Sequence, residues 1–129
     1  MAGINGARFP VRGATPDVMV VACSATGTNG ADCTITEGTG ITSIARSDEG
    51  EYTVTFNNYG NKLLFACGTV ETAVDAIGRD CEIKTVTLAG TGTALIETWT
   101  RATEAVAAAK GDIVVDEVLR LLFVFGQQD

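Results

Sequence analysis

Residues 41–56 read ITSIARSDEGEYTVTF, and this stretch decides the fold. In its second half Tyr52, Val54 and Phe56 alternate with two threonines, which is the period-two pattern of a strand with one apolar and one polar face. A second strand-like run precedes it, and the Ser-Asp-Glu-Gly sequence of residues 47–50 between the two is rich in turn-forming residues. The stretch therefore predicts a β-hairpin with one face in the core and a row of threonines on the other.

The composition of the whole chain favours the same kind of structure. Its 129 residues include 18 threonines and 15 glycines; threonine fits a pleated sheet, and glycine supplies the positive φ angles of tight turns. With 46% hydrophobic residues the chain can bury a core, and its length favours a single domain. Strand-like segments recur along it: 17–25, 32–37, 41–46, 51–56, 62–74, 81–88, 94–100 and 117–125. We therefore predict an all-β fold, either an antiparallel β-sandwich or a jelly-roll-like barrel of about seven to eight strands.

The first residues of the chain differ in composition from the rest. Residues 1–16 contain both prolines, two arginines and no acidic residue, whereas all 16 acidic side chains lie from Asp17 onward. Together with the lack of periodicity, this predicts an extended N-terminal arm, followed by a single β domain over residues 17–129. An arm that carries Arg8 and Arg12 is suited to docking onto a neighbouring acidic subunit, and a frayed terminus is the simpler alternative.

Three segments leave a choice open. Residues 101–112 contain five alanines and could form at most one short helix, or a structured loop. Residues 62–74 could form one long strand or a strand broken at Gly68. In residues 81–88 the alternation of side chains does not decide which of them face the core.

The last predicted strand is apolar over almost its whole length. Residues 117–125 include Val118, Leu119, Leu121, Leu122, Val124 and Phe125. Such a run predicts a strand that is buried on both faces or has one face buried against another subunit.

Composition also limits the chemistry that the chain can perform. The chain has no histidine, so Ser-His-Asp, Cys-His and His-zinc sites are excluded. A net charge of -7 disfavours a nucleic acid or an anionic membrane as a partner, because both attract clustered lysine and arginine. No apolar run approaches the roughly 18 residues that a membrane-spanning helix needs. We therefore expect a protein that is not an enzyme.

The remaining motifs are better explained by turns and solvated charges. The glycine-rich triplets at residues 38–40 and 90–92 lack the Gly-Lys-Ser/Thr ending of a phosphate-binding loop. Acidic pairs such as Asp48 with Glu49 lie on a predicted hairpin tip, where solvated surface acids explain them better than the acid and base of a glycosidase. Residues 112–117 hold three acidic side chains without the spacing of a calcium loop. We therefore predict no cofactor and no metal ion.

Four cysteines, Cys23, Cys33, Cys67 and Cys81, lie in apolar or strand-like contexts with no C-x-x-C spacing. Buried free thiols in a reducing cytoplasm are the favoured interpretation. One or two disulfides, for example between Cys23 and Cys33, are the alternative, and a metal site is the least favoured.

Three aromatic residues have distinct predicted places. Trp99, the sole tryptophan, is predicted to be an anchor in the core or in an interface rather than a platform for a sugar. Tyr52 is predicted to lie in the core with its hydroxyl at the rim. Tyr59 lies in an amide-rich loop, where it packs on its own turn or contacts a partner.

The hairpin sequence resembles one found in a known group of proteins. Residues 40–56 follow the pattern G-(V/I)-x-S-(V/I)-x-R-x-x-x-G-x-Y-x-V-x-F, which is similar to a hairpin of capsid decoration, or cement, proteins of tailed bacteriophages. Gly111-Asp112 followed by an apolar last strand is also similar to the ending of that group. The four cysteines and the alanine-rich residues 101–110 depart from the pattern.

The resemblance implies a β-sandwich-like virion protein, often a homotrimer, made in the host cytoplasm and carried on the exterior of an icosahedral head. There it would bridge major capsid protein subunits, with no nucleic acid or membrane as a partner. The candidate contact residues are Arg8, Phe9, Arg12, Asp48, Glu49, Tyr59 and Trp99. The alternative is a carbohydrate- or receptor-binding β-sandwich, such as a head-fibre or tail-associated module.

Overall fold

A computed structural model describes residues 18–72 and 78–126. Nine strands lie in these residues, and no helix is found among them: β1 Val18–Thr26, β2 Thr34–Thr39, β3 Ile41–Asp48, β4 Glu51–Phe56, β5 Lys62–Glu71, β6 Arg79–Thr87, β7 Thr93–Thr100, β8 Ala109–Lys110 and β9 Val118–Gly126. The predicted arm, with Arg8, Phe9 and Arg12, lies outside the described residues.

The strands form one antiparallel sheet that curls into a nearly closed barrel. Eight of them follow the order β2-β1-β9-β5-β6-β7-β4-β3, and the short β8 pairs with β7. The two ends of this order meet where the backbone N–H of Cys33 donates to the carbonyl of Ile44 over 3.0 Å. The predicted all-β fold of about seven to eight strands is therefore confirmed.

The hairpin of β3 and β4 is the one that the sequence predicts. Tyr52, Val54 and Phe56 are all buried, and the threonines between them are half-buried on the outer face. Gly50 lies in the turn with a φ of 68°, a backbone conformation that residues other than glycine rarely adopt. The period-two pattern thus identified both the element and its inward face.

The hydrophobic core fills the inside of the barrel. Alternate residues of β1, β4, β7 and β9 point inward and are buried. Phe56 meets Phe123 and Phe125 edge-to-face, with ring centroids 4.8 Å and 5.3 Å apart, a favoured aromatic geometry. These three rings lie together in the core of the barrel.

A bulge in β6 settles the register that the sequence left open for residues 81–88, and β5 contains a second bulge. In β6 the pairing with β7 shifts between Ile83 and Thr85, so Cys81 and Ile83 face the core before the shift and Val86 after it. In β5 the pairing with β9 shifts between Leu63 and Phe65. A bulge inserts one extra residue and reverses the inward parity of those that follow.

Several predicted details are wrong or refined. β5 runs unbroken through Gly68 to Glu71. Gly38 lies inside β2 rather than ending it, because β2 is irregularly paired with β1 and Gly38 packs directly against Cys23. Residues 101–108 form a loop rather than a helix, and β8 ties the end of this loop to β7.

We call the two ends of the barrel the Tyr59 end and the Asp112 end. The Tyr59 end holds the start of β1, the start of β5 and the end of β9, which lie side by side at Val18, Lys62 and Gly126. The Asp112 end holds the β3–β4 turn and residues 101–117.

Candidate interaction surfaces

Three strands carry an apolar surface on the outside of the barrel. Across β1, β9 and β5 the pairing aligns Val20 with Val124 and Phe65 in one row. The next outward row joins Ala22, Leu122 and Cys67. Side chains directly opposite each other in a sheet lie about 4.5–5.5 Å apart at Cβ, so the two rows are continuous. We call these six residues the outer apolar face.

The outer apolar face is open to solvent. Phe65 is 54% exposed and Val20 is 42% exposed, while Leu64, pushed outward at the bulge beside them, is 49% exposed. Large apolar side chains are normally covered, and a contiguous exposed group of them marks a contact surface. Of the two alternatives predicted for the last strand, burial on both faces is therefore wrong, and burial of one face against another subunit stays a prediction.

Polar groups bound the outer apolar face toward the Asp112 end. The next row across the same strands is Ser24, Arg120 and Thr69. The Arg120 Nη1 atom lies 2.5 Å from an Oε1 atom of Glu71, and both side chains are more than half exposed. An apolar centre with a charged rim is the usual anatomy of a protein interface.

Asp48 and Glu49 lie at the tip of the β3–β4 turn, as predicted, and both are exposed. The Asp48 carboxylate accepts the backbone N–H of Glu49 over 2.8 Å, a bond that shapes the turn. Neither residue lies on the outer apolar face, because their turn is at the Asp112 end.

Asp112 ties its end of the barrel together. Its Oδ1 atom accepts the Nε–H of Arg46 over 2.9 Å and the backbone N–H of Gly50 over 2.8 Å. Burial alone would raise the pKa of Asp112, but the bonds from Arg46 and Gly50 hold it below the ordinary value.

The Tyr52 hydroxyl accepts the N–H of Ile113 over 2.8 Å, so the hydroxyl reaches the rim of the barrel as predicted. Burial raises the pKa of Tyr52 to about 12.

A second ion pair at this end is more deeply buried. The Arg79 Nε lies 2.9 Å from an Oε1 atom of Glu117, and that oxygen also accepts the N–H of Val114. The acids of residues 112–117 therefore include two that arginines engage. Within residues 18–72 and 78–126, no three ligand-type side chains are placed to hold a metal ion.

Tyr59 packs at the opposite end of the barrel. Its hydroxyl donates to the carbonyl of Gly90 over 2.6 Å, and its ring lies against Gly92, Phe56 and Phe125. The ring therefore holds two loops together and leaves part of its surface exposed.

Trp99 lies outside the barrel, so of its two predicted places the core is excluded, and a place in an interface stays a prediction. Ile96 and Thr98, on the inward face of β7, are fully buried, and the alternation of the strand points Trp99 outward. There it is half-buried and lines a cavity with Asp80 and Arg101.

All four cysteines are free thiols, and three of them are at least partly buried. Cys23 and Cys33 are buried, Cys81 is intermediate and Cys67 is exposed. Burial raises the pKa of Cys33 and of Cys81 to about 12, with nearby acidic groups adding to the effect. The expectation of buried thiols is thus wrong for Cys67, because it points to the outer face of β5.

Of the predicted contact residues, the four that fall within the described part of the chain do not share one surface. Asp48, Glu49 and Trp99 lie at or near the Asp112 end, and Tyr59 lies at the other. Sequence reasoning missed the outer apolar face, whose residues come from positions near 20, 65 and 123. The double-sided apolar runs at residues 18–21 and 117–125 were the available signal.

Comparisons with known proteins give no relative for this chain. No family model matches it, and neither a curated protein nor a solved structure is significantly similar to it. Among the described residues, no helix is long and apolar enough to cross a membrane.

Proposed function

We propose that this protein is a virion structural protein that binds the exterior of a tailed-bacteriophage head and bridges major capsid protein subunits. The observation that carries the proposal is the outer apolar face, with Val20 and Phe65 exposed on either side of Val124. The hairpin resemblance over residues 40–56 supplies the class of partner. The role is structural and non-catalytic, with self-association into a homotrimer as part of the assembly.

The mechanism is burial of apolar surface at a protein–protein contact. A stable contact buries about 800 Å² on each partner, and a few central side chains supply most of its free energy. Phe65 is the largest side chain of the outer apolar face and is 54% exposed, and Val124 and Leu122 lie next to it on the central strand β9. The acidic net charge of -7 makes direct binding to packaged DNA unfavourable.

Electron microscopy of heads prepared without this protein, then mixed with it, tests the proposal. We expect regular additional density on the shell. Phe65→Ser should lower the occupancy of that density by about tenfold or more, as loss of a large aromatic contact does. Val106→Ser is the matched control: Val106 is 58% exposed on the 101–108 loop, away from the outer apolar face.

Alkylation of Cys67 gives a second readout. If the outer apolar face contacts the capsid or another copy, the exposed Cys67 thiol reacts more slowly in assembled particles than in the isolated protein. A folded protein that gives no density on heads, or a Phe65→Ser variant that decorates them as well as the wild type, would refute the proposal. Sedimentation of the isolated protein tests the homotrimer separately.

A further inference from the structure

A second surface feature lies near the Asp112 end, around the sole tryptophan of the chain. A cavity of about 320 Å³ opens between β6, β7 and the loop of residues 101–108, and Trp99 forms part of its lining. This volume falls within the range of ligand sites, about 300–1,000 Å³. The outer apolar face lies on other strands, so the two features are separate.

The indole of Trp99 has a fixed orientation. Its Nε1–H donates to an Oε1 atom of Glu97, two residues earlier on the same strand, over 3.3 Å. The polar edge of the ring is therefore engaged by the protein, and the rest of the indole supplies an apolar wall. The part of the indole that is left open is therefore suited to the apolar face of a ligand.

Charged groups of both signs share the cavity with the indole. Asp80 is the register partner of Trp99 on β6, and Arg101 Nε lies 3.0 Å from an Asp80 Oδ1 atom. Glu82 also lines the cavity and is exposed. A carboxylate only accepts hydrogen bonds and a guanidinium only donates them, so a ligand must be able to do both.

The loop that walls the cavity is held at both ends. The backbone N–H of Arg101 donates to the carbonyl of Gly78 over 3.0 Å, and the Thr100 hydroxyl donates to the carbonyl of Ala109 over 2.9 Å. Within the loop, Thr103 and Val106 exchange two hydrogen bonds. A wall that is ordered beforehand lowers the entropy cost of binding.

We propose that this cavity binds a neutral saccharide, which makes Trp99 the sugar platform that the sequence disfavoured. The C–H face of a pyranose ring covers the indole of Trp99, while hydroxyl groups donate to Glu82 and Asp80 and accept from Arg101. A phosphate-bearing ligand is disfavoured by the two carboxylates, whereas a cationic ligand is the competing outcome that the test must exclude, because Arg101 already pairs with Asp80 and leaves Glu82 without a cation in the lining. The inference is independent of the proposed capsid role.

The fluorescence of Trp99 tests the inference directly, since no other tryptophan contributes to it. The full chain is titrated with a panel of neutral methyl hexopyranosides and their disaccharides. At least one member should shift the emission in a saturable way. Glu82→Gln keeps Trp99 as the fluorescent residue and should raise the dissociation constant about tenfold or more, because it removes a charge-assisted hydrogen bond.

Two controls separate this site from general effects. Glu49→Gln removes an exposed carboxylate from the β3–β4 turn, outside the cavity, and should leave the titration unchanged. Trp99→Phe, followed by ligand-observed NMR, should lose the binding. The inference is overturned if no saccharide in the panel shifts the emission, or if tetramethylammonium shifts it while the saccharides do not. Either result leaves capsid decoration standing, and failure to decorate heads leaves the saccharide titration standing.

Discussion

The buried hydroxyl of Tyr52 illustrates how one polar atom fastens a loop to the barrel. The hydroxyl accepts the N–H of Ile113, a bond that is buried because neither Tyr52 nor Ile113 is appreciably exposed. Removing one partner of a buried hydrogen bond leaves the other unsatisfied, at a cost of about 1–3 kcal/mol. Tyr52→Phe should therefore lower the free energy of unfolding by that amount, measured by urea denaturation.

Tyr59→Phe is the matched control for this substitution. It removes the same hydroxyl from a ring whose bond to the Gly90 carbonyl is exposed to solvent. Water can replace that bond, so we expect a smaller loss, below about 1 kcal/mol. Equal losses in the two variants would show that the Ile113 bond has no special role.

Asp112 makes stability depend on pH. Because the pKa of Asp112 in the folded protein lies below its value in the unfolded chain, the carboxylate stabilises the fold fully above the unfolded pKa of about 3.9. This contribution is lost as the pH falls through the lower folded pKa. Asp112→Asn should destabilise the protein by about 1–3 kcal/mol at pH 7, and the difference from wild type should shrink below about pH 4.

Asp116→Asn provides the comparison for Asp112→Asn. Asp116 is exposed in the same connection between β8 and β9. Its removal changes the net charge equally but breaks none of the bonds to Arg46 or Gly50. Urea unfolding of both variants across this pH range separates the two effects. If both lose the same stability at pH 7, the hydrogen bonds of Asp112 are not its source.

At the scale of single elements, the β3–β4 turn depends on its glycine for two reasons. Gly50 has a φ of 68°, and a Cβ there would lie 2.7 Å from the Gly111 nitrogen and 2.9 Å from the Thr98 carbonyl oxygen. Gly90 has a similar φ of 72° but nothing within 4 Å of that position. Gly90→Ala should therefore cost only the conformational term, about 1–2 kcal/mol.

Gly50→Ala should cost the same term plus the clash, about 1–3 kcal/mol more. The difference between the two melting temperatures or urea midpoints measures the close approach of the turn to residues 98 and 111. Equal losses in both variants would mean that this approach is not tight. The comparison works because the two glycines share the backbone strain and differ in their surroundings.

Elements were predictable from the sequence to the extent that their side chains alternate without interruption. β4 keeps one parity throughout, so its inward face and the rim position of the Tyr52 hydroxyl followed directly, whereas the register of β3 shifts between Ile41 and Ser43. β6 changes parity between Ile83 and Thr85, and no local pattern can show on which side of such a shift a residue lies. The same limit applied to β5, where the bulge at Leu64 decides that Phe65 and Cys67 face outward.

At the scale of the whole molecule, the outer apolar face and the Asp112 contacts depend on long-range register. Phe65 lies beside Val124 and Val20 only because β9 is inserted between β1 and β5. Arg46 meets Asp112 across 66 positions of the chain. A single sequence gives the propensity of each strand but not the order in which the strands pair, so neither surface could be assembled from it.

The reaction rates of the four thiols can test that strand order in solution. Cys23 and Cys33 are buried, and burial raises the pKa of Cys81 to about 12, whereas Cys67 is exposed. Because the thiolate is the reacting form, a disulfide reagent near pH 8 should modify one thiol rapidly and the other three only as the protein opens. In urea all four should react, and Cys67→Ser should abolish the rapid phase. If Cys67→Ser keeps a rapid phase, the outward face assigned to β5, and with it the outer apolar face, is wrong.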